Sequence, residues 1–222
     1  MLLDQHASPG SSPAAAEWVS LGLVQHYAYN HGEAARCFRA AQSLDESCVL
    51  AHCGLALARG ASYNHARLTD DELAEARRHA ADAVRCCESA RPTSVERALS
   101  AALVERTAGD DEAAWASAYA SALRRLHASH PGDLDVCALF AEALMQVAPW
   151  ALWDFASGTA ALSVTPEVVR LLADSLALPS ATQHAGLLHF QIHVLEMSPS
   201  PVRALLMYVF LLEMIFFFFS FS

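Results

Sequence analysis

The sequence contains no lysine: all 14 of its basic residues are arginine, set against 24 Asp and Glu, for a formal charge of −10. Affinity for a phosphate backbone comes largely from clustered Lys and Arg, so this balance argues against a nucleic-acid partner. C-x-x-C pairs are also absent. The six cysteines (Cys37, Cys48, Cys53, Cys86, Cys87 and Cys137) fall at irregular spacings, and the adjacent Cys86 and Cys87 make a poor start for a disulfide framework. They are expected to be reduced, small packing residues. The residues from Met1 to Pro13 show neither a basic segment nor an apolar run of the secretory kind, which makes a cytoplasmic setting the expectation. G-x-S-x-G elbows, glycine-rich phosphate loops and dinucleotide fingerprints are missing, and the 9 glycines are scattered. No stretch alternates with period two for long enough to predict a strand.

What remains is rich in Ala, Leu, Glu and Arg, residues that lose little side-chain freedom in a helix, and the chain is expected to be all-α. With 222 residues and 54% hydrophobic letters it can bury one large core or one continuous stack of helix pairs. Residues 1–13 form a polar leader without periodicity, expected to be disordered. Helices are predicted near 14–28, 31–44, 48–60, 70–90, 93–107, 110–129, 133–146, 166–178 and 183–197. Asn30 with Glu33, Thr69 with Glu72, and Thr93 with Glu96 have capping-box spacing. Thr165 before Pro166 predicts a cap followed by proline at the first helical position. Pro131 and Gly132 predict a stop before a new start at Asp133. Asn30 and Asn64 are expected to cap.

The spacing of small and large apolar residues repeats. Trp18, Leu21 and Gly22 are followed by Ala34, Phe38 and Ala41, the offsets of a helix pair with a period of about 34 residues. One period on stand His52, Leu55 and Ala56, with Ala76, Ala80 and Ala83 on the second helix after an insertion around Tyr63 to Asp70. Looser matches follow at Tyr119, Leu123, Leu126 and Pro131, then at Cys137, Phe140, Ala141 and Leu144. In this arrangement each pair has an apolar face it cannot bury alone, so neighbours stack into one elongated core with a concave face open to a partner.

This pattern resembles the tetratricopeptide repeat. The stretch Tyr27 to Asn64, with Tyr29, Asn30, His31, Glu33, Ala34, Arg36, Cys37, Phe38, Gly54, Leu55, Ala56 and Tyr63, is similar to an uncharacterised group of tetratricopeptide-containing proteins. The similarity extends through Ala141, Glu142, Ala143, Leu144, Met145, Pro149 and Trp150 to His189, Ile192, His193 and Glu196. It implies a tetratricopeptide-like α-solenoid over residues 14–200. Members of the group continue with further helix pairs and a Pro-Ser-His-Ile segment soon after the position of Arg203. The present sequence departs there, and a truncated C-terminus is expected.

Two functions follow as expectations. The first is a noncatalytic scaffold that binds an unidentified peptide or protein on its concave face and needs no cofactor. The second is a metal-dependent enzyme: His189, His193 and Glu196 stand at i, i+4 and i+7, on one helix face, and could offer three ligands to zinc or iron with a position open for water. Phe190 occupies the place that a catalytic glutamate holds in H-E-x-x-H, so the pattern is not that of a zinc protease. His31, Asn64 and His65 are candidates to line the same concave surface. Trp150 and Trp153, around Pro149, are expected to fill a turn in the core rather than stack on a ligand.

Residues 201–222 change character to a hydrophobic tail. At about 1.5 Å per residue, a helix from Ala204 to Ser222 comes close to a hydrocarbon core of roughly 30 Å, so a tail-anchored membrane protein is the alternative localisation. Glu213 opposes that reading. A mistranslated gene end and a packed final helix are the other readings of the tail.

Overall fold

The computed structural model describes residues 12–109, 111–205, 207 and 208, so most of the expected leader and of the hydrophobic tail lies outside the described residues. Nine α-helices have their ends within this range: α1 Pro13–Tyr27, α2 His31–Leu44, α3 Val49–Arg59, α4 Asp70–Ser89, α5 Ser94–Glu105, α6 Glu112–Ser129, α7 Leu134–Gln146, α8 Val164–Leu176 and α9 Ala185–Glu196. A 3-10 turn at Ala181–Gln183 precedes α9. Extended pairing among the described residues is confined to two isolated bridges, Ser62 with His65 and Trp153 with Ala160. The fold is all-α, and each predicted helix is present to within about two residues at either end.

Cap chemistry explains several starts and corrects two. The Thr69/Glu72 and Thr93/Glu96 capping boxes are both closed, side chain to backbone in each direction. Asp133 Oδ1 accepts the amides of Asp135 and Val136 at the head of α7. Asn30, in contrast, makes no side-chain cap. Its amide N–H donates to the Gln25 carbonyl at 2.9 Å to close the end of α1, its side chain turns to Gln25, and Glu33 is held by Arg36. Thr165 does not cap either, because α8 begins at Val164; its hydroxyl donates to the buried Leu152 carbonyl at 2.6 Å. Asn64 lies exposed in the turn between Ser62 and His65, not at a helix start.

Packing follows chain order, each helix lying on the next from α1 to α5 and from α5 to α9. A second set of contacts skips one helix: α1 on α3, α3 on α5 and α7 on α9. The odd-numbered helices therefore form an inner layer. That layer curls far enough for α1 to meet α9 as well.

Phe38 is fully buried and sets the spacing of the first three helices. Its ring lies on Gly22 of α1 and Gly54 of α3; a Cβ at Gly22 would stand 2.6 Å from it, and one at Gly54 would overlap it too. Ala34, Ala41, Ala76, Ala80 and Ala83 are buried, and Trp18 packs partly buried with the Arg36 guanidinium 5.4 Å above its ring. Leu21 differs, being 42% exposed on the outer side of α1. All six cysteines are free and buried.

Candidate functional site

The curl of the inner layer brings polar side chains from distant parts of the chain into one buried cluster. His26 Nε2 of α1 pairs with Glu142 Oε2 of α7 at 2.9 Å, both side chains having no exposure. Burial pushes the Glu142 carboxyl up, but His26, Arg106 and His31 outweigh it and hold the group below the ordinary carboxylate range. Glu142 sits in a helix whose residues are otherwise almost all apolar and buried, where an unpaired charge would cost several kcal/mol, of order 3–5.

Beside this pair, the Tyr27 hydroxyl donates to Asp135 Oδ1 at 2.7 Å. The same oxygen lies 3.1 Å from His184 Nε2. His184 Nδ1 accepts the Leu187 amide, so its proton is on Nε2 and is donated to Asp135. Gly186 makes room for the contact, since a Cβ there would stand 2.8 Å from the Tyr27 ring. One tyrosine thus ties α1 to the heads of α7 and α9.

Arg106, just past α5, points its guanidinium into the same interior. It donates to the carbonyls of Ala56, Leu57 and Ala61 and to Gln146 Oε1, and it stacks 5.0 Å over the Tyr119 ring. Both ring nitrogens of His31 are buried without a hydrogen-bond partner. Burial, with the charge of His26, lowers the pKa of His31 to about 4, so the ring is neutral at pH 7.

The expected metal trio takes a different arrangement from three ligands around one point. His193 Nε2 faces His189 Nε2 at 3.0 Å, while Glu196 Oε1 lies behind, on His193 Nδ1 at 2.7 Å. His189 Nδ1 is 2.6 Å from the Tyr27 carbonyl. No group of three His, Cys, Asp or Glu side chains among the described residues is placed to hold a metal ion. Aromatic rings crowd the pair: Tyr29 stands 5.1 Å from His189 and 5.6 Å from His193, Tyr63 stands 5.7 Å from His193, and Trp150 stacks on Tyr63 at 5.1 Å. His31 is adjacent to Tyr29, at 5.8 Å. His65 instead faces solvent and bonds Glu72.

Trp150 is not in the core as the sequence predicts. It is 49% exposed, in a turn closed by the Ala151 amide and the Ala148 carbonyl, where its positive φ of 60° is one glycine ordinarily supplies. Tyr29 also has a left-handed backbone, φ 57°, two positions past the end of α1. Two of the three non-glycine residues with positive φ among those described therefore flank the histidine pair. Trp153 does pack inward, donating Nε1–H to the Val194 carbonyl at 2.7 Å.

Elsewhere on the inner layer, α1, α3, α5 and α7, with Leu126 of α6, leave a narrow cleft whose free interior is about 30 Å³. Val19 and Leu23, Leu50 and Leu57, Val95 and Leu99, and Leu139 form its walls. Its polar lining groups are Asp133 and Asp135.

Sequence reasoning missed the His26, Glu142, Asp135 and His184 cluster as a unit. The available signal was a carboxylate at 142 within an apolar helix, but nothing local names its partner more than a hundred residues earlier. The fold and site together define an all-helical protein with an inward-facing apolar cleft and a buried histidine, carboxylate and tyrosine cluster. In comparisons with known proteins, no family model, curated protein or solved structure matches the chain.

Proposed function

We propose that the chain is a noncatalytic, tetratricopeptide-like scaffold that binds a partner protein by taking an apolar side chain into the cleft of its inner layer. The observation that carries this reading is the cleft itself, whose walls are apolar apart from two aspartates and are contributed by five helices. A cleft this narrow admits the tip of one small aliphatic side chain, an apolar anchor of the kind that contributes much of the energy at many protein interfaces. The contacts that skip one helix and the seating of Phe38 on Gly22 and Gly54 support the repeat reading. The acidic balance of the chain favours partners that are not themselves strongly acidic.

Selection from a displayed random-peptide library against the full chain tests the proposal. Selected peptides should share an apolar anchor and lose at least tenfold in affinity toward Leu50→Trp, a variant that fills the cleft, with the melting temperature measured alongside. Selection that enriches nothing, or peptides that bind Leu50→Trp equally well, would remove the cleft as the binding site.

A further inference from the structure

The pair His189 and His193 carries an inference separate from the apolar cleft, with which it shares no residue. A carbonyl oxygen can only accept, so His189 Nδ1, 2.6 Å from the Tyr27 carbonyl, carries a proton and donates it. His193 Nδ1, 2.7 Å from the Glu196 carboxylate, does the same. A neutral imidazole has one N–H, so both Nε2 atoms are left with lone pairs. These lone pairs face each other at 3.0 Å across rings whose centroids are 4.6 Å apart.

Two facing lone pairs repel unless an electrophile lies between them. Such an electrophile is either a proton shared between the rings or a metal ion held by both, and the anchoring of both Nδ1 atoms favours the metal. Metal-ligating histidines characteristically donate their second nitrogen to a carbonyl or a carboxylate, and both histidines here do so. Two histidines at i and i+4 on a helix are also a well-suited metal chelate.

We propose that His189 Nε2 and His193 Nε2 bind a divalent transition-metal ion, with the Tyr27 carbonyl and the Glu196 carboxylate orienting the two rings. With metal–nitrogen bonds of about 2.0–2.1 Å, an Nε2 to Nε2 separation of 3.0 Å subtends roughly 94° at the ion. That angle matches adjacent positions of an octahedral or square-planar ion; a tetrahedral one calls for about 3.3 Å. Nickel, copper, cobalt, ferrous iron and zinc all accept imidazole nitrogen. The Glu196 carboxylate, bonded to His193 Nδ1, places a negative charge one ring away from the ion. The chain supplies two strong ligands, with Tyr29, whose hydroxyl is buried without a partner, beside them. His193 keeps 15% of its side chain exposed, and the half-exposed Trp150 lies 5.9 Å from its ring.

The test is calorimetric titration of the chelator-stripped full chain with nickel chloride, alongside cobalt chloride followed by visible absorption. One ion per chain is expected. His189→Ala and His193→Ala should each weaken binding more than tenfold, and Glu196→Gln by roughly tenfold or more. His130→Ala, remote from the pair in the sequence, should bind as the parent does. Circular dichroism checks that each variant remains helical. Should a histidine variant fail to fold, protection of His189 and His193 in the parent protein from diethyl pyrocarbonate by nickel gives a second reading. Absence of saturable binding at millimolar nickel would overturn the proposal. So would equal binding by folded histidine variants, or modification of both histidines at an unchanged rate in the presence of nickel. Peptide capture by the cleft is unaffected by either result, so the two readings fail separately.

Discussion

His26 Nε2 lies 2.9 Å from Glu142 Oε2 with both side chains shut off from solvent, joining α1 to α7 across 116 positions of sequence. Removing one member leaves the other buried without its partner, whereas removing both leaves only a packing defect. His26→Phe and Glu142→Leu are each expected to cost about 3–5 kcal/mol, and the double variant His26→Phe/Glu142→Leu distinctly less than their sum. Urea denaturation of the four proteins measures this. Additive losses would mean that the two groups do not depend on each other.

Acid should weaken the fold before the carboxylates titrate. His31 is lowered from 6.5 to about 4, so between these values the unfolded chain binds a proton that the folded chain refuses. Stability from this group is complete above about pH 6.5 and declines as the pH falls toward about 4. His31→Phe should flatten the decline in that interval, read from unfolding midpoints at successive pH values. An unchanged slope would show that His31 is already protonated in the folded chain at pH 6.

Glycine at position 54 is required by Phe38. Gly54→Ala places a methyl group inside the Phe38 ring, and Gly22 blocks retreat on the other side. A loss of about 1–3 kcal/mol is expected, largely recovered on the Phe38→Leu background. Thermal melts of the single and double variants decide it; a silent Gly54→Ala would mean that α1, α2 and α3 are less tightly packed than described.

The thiols should be inert in the folded chain. All six are buried, and burial pushes Cys53 far above the ordinary thiol range and Cys86 up to about 11. Ellman's reagent is expected to react slowly with native protein and rapidly with six thiols per chain in guanidinium. A fast native thiol would place at least one cysteine at the surface.

The helices were legible because apolar periodicity and cap chemistry act within a few residues. Thr69 and Glu72 announce a helix start wherever the chain later goes. Asn30 misled because Tyr29 takes a left-handed backbone that no glycine signals, and this commits the Asn30 amide to closing α1. The spacing of His189, His193 and Glu196 correctly placed three side chains along one helix, but i+7 could not tell a ligand from a group bonded to the far nitrogen of His193. The contact of His26 with Glu142 was not legible, since it depends on how far the inner helices curl, and that curl is summed over seven helices. Trp150 was expected inside because aromatics beside proline commonly pack. Its positive φ instead turns the indole outward onto Tyr63.

The claim on which the rest depends is that α1 is tied to α7 through His26 and Tyr27 and packs on α9, so that the two ends of the inner layer meet. Native-state hydrogen exchange, read by mass spectrometry on peptides from α1, α7 and α9, tests it most directly. In an open stack the terminal helices unravel independently, whereas a closed layer opens them together. The account predicts that His26→Ala accelerates exchange in α9 by as large a factor as in α1. Exchange in α9 that is indifferent to His26→Ala, while α1 accelerates, would contradict it.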